Sequence, residues 1–352
     1  MKKLFFIFAF LLTCCAMMFS QASFSLPQDE PVIVYSLPKT ELCIEVELEK
    51  TLQKPGEFFR YSERYLATKD VITEEKNSFR LKSVNVKTRA IADPDRTYAV
   101  SSENGVLSRL SVNEKGLLCG VDVPCKEGVS DCDKNKNNAE PKKRTTKPLP
   151  LTEEYMLAGS TAKMAEGAAK QIYRIRESRL ALLAADVEHF PADGESFKVM
   201  LSEMNRLERQ LTELFTGTSV TEVQKHTIYL TPSAEMKGEV LFRISSLSGL
   251  VSAADLSGSP YYIDVIPQTI KTYRIEETKK TKKKGVSEAL QIYSLLPAEA
   301  KINVGDGRNI FFSGEFVMPQ FGHVVPVPQA YLQKENAKVY IDEQTGRLLR
   351  AE

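Results

Sequence analysis

Beyond residue 19 the chain has no apolar run approaching the ~20 residues that a transmembrane helix needs. Over 352 residues it holds three histidines, and it contains no G-x-S-x-G, no phosphate-cradling glycine loop, no H-E-x-x-H and no dinucleotide fingerprint. His189, His226 and His323 have no carboxylate or nucleophile at motif spacing. His226 alternates with Ile228 and Leu230, the pattern of a half-buried structural histidine. These absences lower the odds of an enzyme, although a triad assembles in space rather than in sequence. Charge of one sign is missing too. Forty-seven Lys and Arg against 46 Asp and Glu leave a net charge of +1, so nothing global favours nucleic acid or an anionic membrane. No catalytic residue, cofactor or metal is indicated.

What is present begins with an address. Lys2 and Lys3 precede an apolar run from Leu4 to Phe19, and Ser20-Gln21-Ala22 supplies small residues before a cut ahead of Ser23. That is the layout of a secretory signal peptide over residues 1–22, giving a periplasmic or secreted protein. Leu11-Leu12-Thr13-Cys14 is the rival, a loose lipoprotein box that would anchor the chain to the outer membrane at Cys14. Thr13 and the apolar stretch after Cys14 fit it poorly. Export permits disulfides among Cys43, Cys119, Cys125 and Cys132. Cys125 and Cys132 bracket a short polar loop and form the candidate bridge, with Cys119 as an alternative partner; the spacings do not match C-x-x-C zinc sites.

The organising stretch is 151–217, which reads as two amphipathic helices folded back on one another. Thr152 is the expected first cap, and apolar residues recur from Ala158 through Ala162, Ala165, Ala169, Ile172 and Ile175 to Leu183. Pro191-Ala192-Asp193-Gly194 makes the turn; Phe197 to Phe215 repeats the pattern, and Gly217 closes it. Antiparallel packing brings Arg174, Arg176 and Arg179 level with Glu203, Glu208 and Glu213. The plain reading is a solvated ion-pair seam. The sharper one makes Tyr173, Arg174, Arg176 and Arg179 a partner-binding face.

On either side the text is β. Leu42, Ile44, Val46 and Leu48 alternate with Glu41, Glu45, Glu47 and Glu49, with Cys43 the exception on the wet side. Further strands are expected at 79–88, 96–100, 105–112 and 116–123, then at 221–230, 239–245, 261–266, 289–294, 300–304, 309–316, 337–342 and 347–350. Residues 57–67 read as a short helix whose aromatics pack in the core. The expected organisation is an N-terminal β-rich domain at 23–123, a flexible polar linker at 124–150, the helical hairpin, and a C-terminal β-rich domain at 218–352. In the linker, Asp131, Asp133, Asn135 and Asn137 resemble a calcium loop, but Lys136 and Lys142 occupy its glycine and glutamate positions. Lys279–Lys284 is a basic surface loop. Tyr35–Val46 (YSLPKTELCIEV) echoes Tyr293–Val304 (YSLLPAEAKINV) and, more faintly, Tyr331–Ile341, which suggests similar β modules flanking the helices.

Several strings in combination carry a resemblance: Tyr35–Thr40, Glu63–Leu66, Asp70–Ile72, Ile175–Arg179, Pro191–Gly194, Leu211–Phe215 and Asp255–Gly258. Together they resemble a domain-of-unknown-function family of exported Bacteroidetes proteins. The resemblance implies envelope export and one architecture over most of the chain, and no activity. The expected fold is α+β, with two β-rich lobes of antiparallel sheet flanking a long antiparallel helical hairpin. The expected function is a non-enzymatic binding or assembly protein of the cell envelope, contacting another protein or a glycan; a hydrolase with a spatially assembled carboxylate or serine site is the alternative.

Overall fold

The computed structural model describes residues 32–101, 109–125, 132, 149, 152–184, 186, 193–268, 291–332 and 338–352. The expected signal segment, nearly all of the expected linker with its calcium-like residues, Lys279–Lys284, His189 and Pro191-Ala192 lie outside them. The described chain is mostly β, in antiparallel sheets. β1 (Val32–Lys54) and β2 (Lys76–Ser101) form one long hairpin, interrupted by a 3-10 turn at Phe59–Tyr61 and by α1 (Ser62–Leu66). The short strands β3 (Leu110–Val112) and β4 (Leu118–Val121) follow. Next come α2 (Glu153–Met156), α3 (Thr161–Leu183) and α4 (Gly194–Thr216). β5 (Thr218–Leu230), β6 (Met236–Ser245), β7 (Gly249–Val251) and β8 (Ser259–Pro267) lead to a second long hairpin, β9 (Tyr293–Gly305) and β10 (Ile310–Pro326). α5 (Gln329–Leu332), β11 (Val339–Ile341) and β12 (Leu348–Ala351) end the chain.

The two β-rich segments do not fold as separate lobes. Among the described residues the sheets run β2-β1-β5, β10-β9-β8-β6-β7 and β12-β11-β4-β3, so the first and third draw strands from both sides of the helices. The first two sheets share a core in which Leu42, Ile44, Val46 and Leu48 meet Ile263, Val265, Ile302 and Val304. The third sheet covers a second core containing Tyr35, Leu37, Leu118, Leu295 and Val339. Alternation along β1 is as expected: those four apolar residues are fully buried. What alternation does not specify is which strand the other face of a sheet comes from.

A strand of 23 residues spans on the order of 75 Å at ~3.3 Å per residue, too long for one small sheet. β1 therefore serves both cores, and it changes course at a bulge. Between Ser36↔Thr97 and Pro38↔Ala92, the single residue Leu37 faces four residues of β2. β9 and β10 repeat this: between Leu296↔His323 and Ala298↔Met318, Pro297 alone faces four residues. Pro38, Pro94, Pro297 and Pro319 all sit at these breaks, where the missing N–H costs no ladder bond.

The two bulges clasp one another. Arg96, from the β2 bulge, donates to the carbonyls of Pro319 (3.2 Å) and Gln320 (3.0 Å) in the β10 bulge. The Gln320 amide in turn mimics a strand against Thr40. It accepts from the Thr40 N–H at 3.0 Å and donates to the Thr40 carbonyl at 2.9 Å, just upstream of where β5 begins to pair with β1. Asp93, buried, holds Arg96 and Lys39 in place. Gly322 lets the β10 bulge approach, since a Cβ there would lie 2.2 Å from the Leu296 carbonyl oxygen.

The internal echo is therefore structural. Each long hairpin is followed by a short one whose turn starts on Asn113 or Asp342 and ends on Gly116 or Gly346. The glycine N–H returns to the first residue's carbonyl, and the glycine carbonyl accepts from Ser36 (2.8 Å) or Leu295 (2.7 Å) at the head of the long hairpin. Tyr35 joins the modules: its hydroxyl accepts from the Tyr293 N–H at 2.9 Å, and burial pushes its pKa up to about 12. The fainter third echo has no such counterpart, because Gln329–Leu332 is a helical turn.

The helices depart from expectation at their start. The helix from Thr152 stops after one turn; Gly159 intervenes, and Ser160 caps α3 by accepting from the Lys163 N–H. Asp193 caps α4 the same way through Ser196, and Gly217 closes it in the left-handed region. One end of α3 and α4 is buried with Phe58 and Tyr155 around Ala165, Ala168, Ile172, Leu211 and Phe215.

Removing the Gln320 amide leaves a buried N–H and carbonyl on Thr40 without partners, at about 1–3 kcal/mol per group. Gln320→Leu is expected to lower unfolding free energy by at least that amount in a urea titration; an unchanged midpoint would show that the clasp is dispensable.

Candidate functional site

The residues expected to face a partner divide into two groups. Arg176 and Arg179 both bond the carboxylate of Glu208 on α4, Arg176 at 2.6 Å, and Arg179 also donates to Asn205 at 2.9 Å. Rising numbers on α3 meet falling numbers on α4, so the helices run antiparallel, and these two arginines form the plain ion-pair seam. Burial works to raise the Glu208 carboxyl; the hydrogen bonds and charges of Arg176 and Arg179 outweigh it and hold the group below its ordinary 4.5. Tyr173 is 45% exposed, but its hydroxyl donates to the Tyr65 carbonyl at 2.6 Å, which ties α3 to α1. Arg174 is exposed and, alone of the three arginines, makes no ion pair among the described residues.

Past the seam, the far end of the helices carries aliphatic side chains into solvent. Leu180 (66%), Leu183 (58%), Val199 (65%) and Met200 (41%) are exposed, while Leu182 between the helices is buried. Val199, Met200, Met204 and Leu207 line a shallow groove along α4, edged by Glu195 and Glu203. Helical spacing had already put Met200, Met204 and Leu207 on one face. That this face has no cover at one end among the described residues is a tertiary fact.

The outer face of β2-β1-β5 is a ladder of ion pairs. Glu45 meets Lys87 at 2.6 Å, Glu49 meets Arg80 at 2.9 Å, and Glu47 meets Lys225 at 2.8 Å; Glu41 pairs with Arg89. In their midst Cys43 is fully buried and bonded to Cys132, with a Cα separation of 6.3 Å. The expected Cys125–Cys132 bridge is thus corrected. Cys125 bonds Cys119, 5.3 Å away between Cα atoms, which leaves Cys132 for Cys43. The clue was in the sequence: a small apolar residue in the wet register of β1 needs something to cover it.

Cys119, Cys125 and Glu343 bring metal-ligating types together, but the sulfurs are bonded to each other and Glu343 accepts from Asn113 at 2.7 Å. Asp255 and Asp306 are turn residues: backbone N–H groups of Ser257, and of Asn309 and Arg308, hold their carboxyls below the ordinary range. His226 is half-buried on the inner face of β5 beside Ile228, as expected, and His323 is exposed on β10.

The chain belongs to the family described as a domain of unknown function, DUF4831, which matches residues 32–349. No curated protein and no solved structure matches it. No described helix is long and apolar enough to cross a membrane.

Two outcomes follow. A carboxyl held low contributes stability that is present above its unfolded pKa and lost as pH falls through its folded one. Wild-type stability should therefore drop as pH falls below 4.5, and Glu208→Gln should reduce that dependence in denaturant midpoints taken across the acid range. The Cys43–Cys132 bond closes a segment of 89 residues, worth about 4–5 kcal/mol by loop entropy. The Cys43→Ser/Cys132→Ser variant should lose that much in urea unfolding, and peptide mapping without reductant should recover Cys43–Cys132 and Cys119–Cys125.

Proposed function

We propose that this is an exported, non-enzymatic protein of the cell envelope that acts by binding another protein. One observation carries the reading: the exposed aliphatic face at the far end of α3 and α4, where Leu180, Leu183, Val199 and Met200 lie beyond the ion-paired seam. Apolar side chains left in water beside charge, as Val199 and Met200 are beside Glu195 and Glu203, mark contact sites. The charged seam itself is spent on holding the two helices together, which moves the candidate surface from Tyr173 and the arginines to the tip. Leu, Val and Met favour a protein over a glycan, since sugars are held by ring faces and forked hydrogen bonds. Export is supported by Lys2-Lys3 with the apolar run to Phe19, and by two disulfides, which persist in oxidising compartments.

A photo-crosslinking residue at Val199, in full-length protein expressed in its own cells, tests this. A single stoichiometric envelope protein should be captured there and not from Lys301 on the opposite sheet. Leu183→Glu with Val199→Glu should weaken that complex by at least about tenfold, as the loss of central apolar contacts does, with unfolding unchanged. Equal capture from both sites, or an unweakened complex, would overturn the assignment.

A further inference from the structure

The repeated modules differ at one place, and the difference points to a partner. In the second module the central strand β9 has β8 as its outer neighbour, and β8 is in turn covered by β6. In the first module the central strand β1 has β5 as its outer neighbour, and among the described residues nothing pairs with the far edge of β5. The position that β6 fills in one module is open in the other. The opposite edge of the same sheet is not equivalent, because β2 is engaged at Phe79, whose N–H donates to the Ser246 carbonyl at 2.9 Å.

β5 is long and regular, and Glu222 and Lys225 are its two charged residues. It runs 13 residues in unbroken register with β1 from Leu42↔Leu230 to Lys54↔Thr218. It has no proline and no bulge, two of the features that blunt such an edge, and no glycine. A long flat edge of this kind exposes a row of unpaired N–H and carbonyl groups.

We infer that β5 pairs antiparallel with β5 of a second copy about a twofold axis through Gln224, joining the two three-stranded sheets into one of six. The sequence of β5 is the argument. Gln224 is the middle residue of Thr218–Leu230, so this register alone pairs the strand over its whole length. A twofold axis normal to the sheet keeps side chains on their own face, and each residue then meets the one an equal distance across Gln224. On the inner face Val220 meets Ile228 and Glu222 meets His226, while Gln224 meets its own copy amide to amide. On the outer face Thr221 meets Thr227, and Val223 meets Lys225. Val220 with Ile228, carboxylate with imidazole, and Thr221 with Thr227 are cross-strand pairs of the kind that stabilise a sheet. Moving the axis to Lys225 would set two ammonium groups against each other and shorten the ladder. The inference is independent of the helix tip and of whatever binds there.

The test is a position-specific crosslink in the purified full chain. Directly opposed residues in an antiparallel pair have Cα atoms ~4.5–5.5 Å apart, within disulfide range. Gln224→Cys should oxidise to a covalent dimer, whereas Thr227→Cys, displaced by about 20 Å along the ladder from its own copy, should not. Without substitution, light scattering should give a dimer that dissociates on dilution. His226→Glu, which sets carboxylates against each other twice, should weaken the dimer by about tenfold or more, and Glu222→Lys/His226→Glu should restore it. A monomer at every concentration, equal crosslinking at 224 and 227, or no rescue by the charge swap would overturn the proposal.

Discussion

Thr40 is the point on which the fold turns. β1 has to leave one core and enter another there, and its backbone would lose a ladder partner between the bulge at Leu37 and the start of β5 at Leu42. The side chain of Gln320 fills that gap with both of its amide groups, and the carbonyls of the same bulge are held by Arg96 from the other hairpin. Each bulge thus satisfies polar groups that the other one frees. Buried backbone groups without partners cost as much as the net worth of one or two hydrogen bonds, so two bulges that answer each other are stable where either alone would be a defect.

Once the clasp is made, the remaining architecture follows. The stretches of β1 and β9 downstream of the bulges face one core, and those upstream face the other, where Tyr35 and Tyr293 meet. The short hairpins close the second core by offering a glycine carbonyl to the head of each long hairpin. The helices are an insertion between the modules. They are anchored at one end around Phe58 and Phe215 and solvent-exposed at the other. Among the described residues the two bulges satisfy one another, while the helix tip and the β5 edge are left open.

The cysteines show how such a division is written. Cys43 interrupts a run of wet glutamates, and it is buried and bonded to Cys132. Loop proximity suggested Cys125 for Cys132, but Cys119 lies nearer to Cys125 across the turn that follows β4, which leaves Cys132 for a distant strand. Chain separation barely distinguishes the two partners of Cys125, six residues from Cys119 and seven from Cys132, whereas a disulfide forms between Cα atoms that the fold sets about 6 Å apart.

The sequence by itself determined the strand alternation of Leu42–Glu49, the close of α4 at Gly217, and the echo between Tyr35 and Tyr293. All of these rest on neighbours within a few residues or on a fixed side-chain period. Only the tertiary structure decided that the two β segments interleave, that Arg176 and Arg179 are consumed by Glu208 and Tyr173 by Tyr65, that Gln320 completes Thr40, and that β5 is left at an edge. Each of those pairs groups that lie from about thirty to 280 residues apart. Periodicity states which face of an element is apolar; which distant surface covers it, and which is left open, depends on how the elements close on one another.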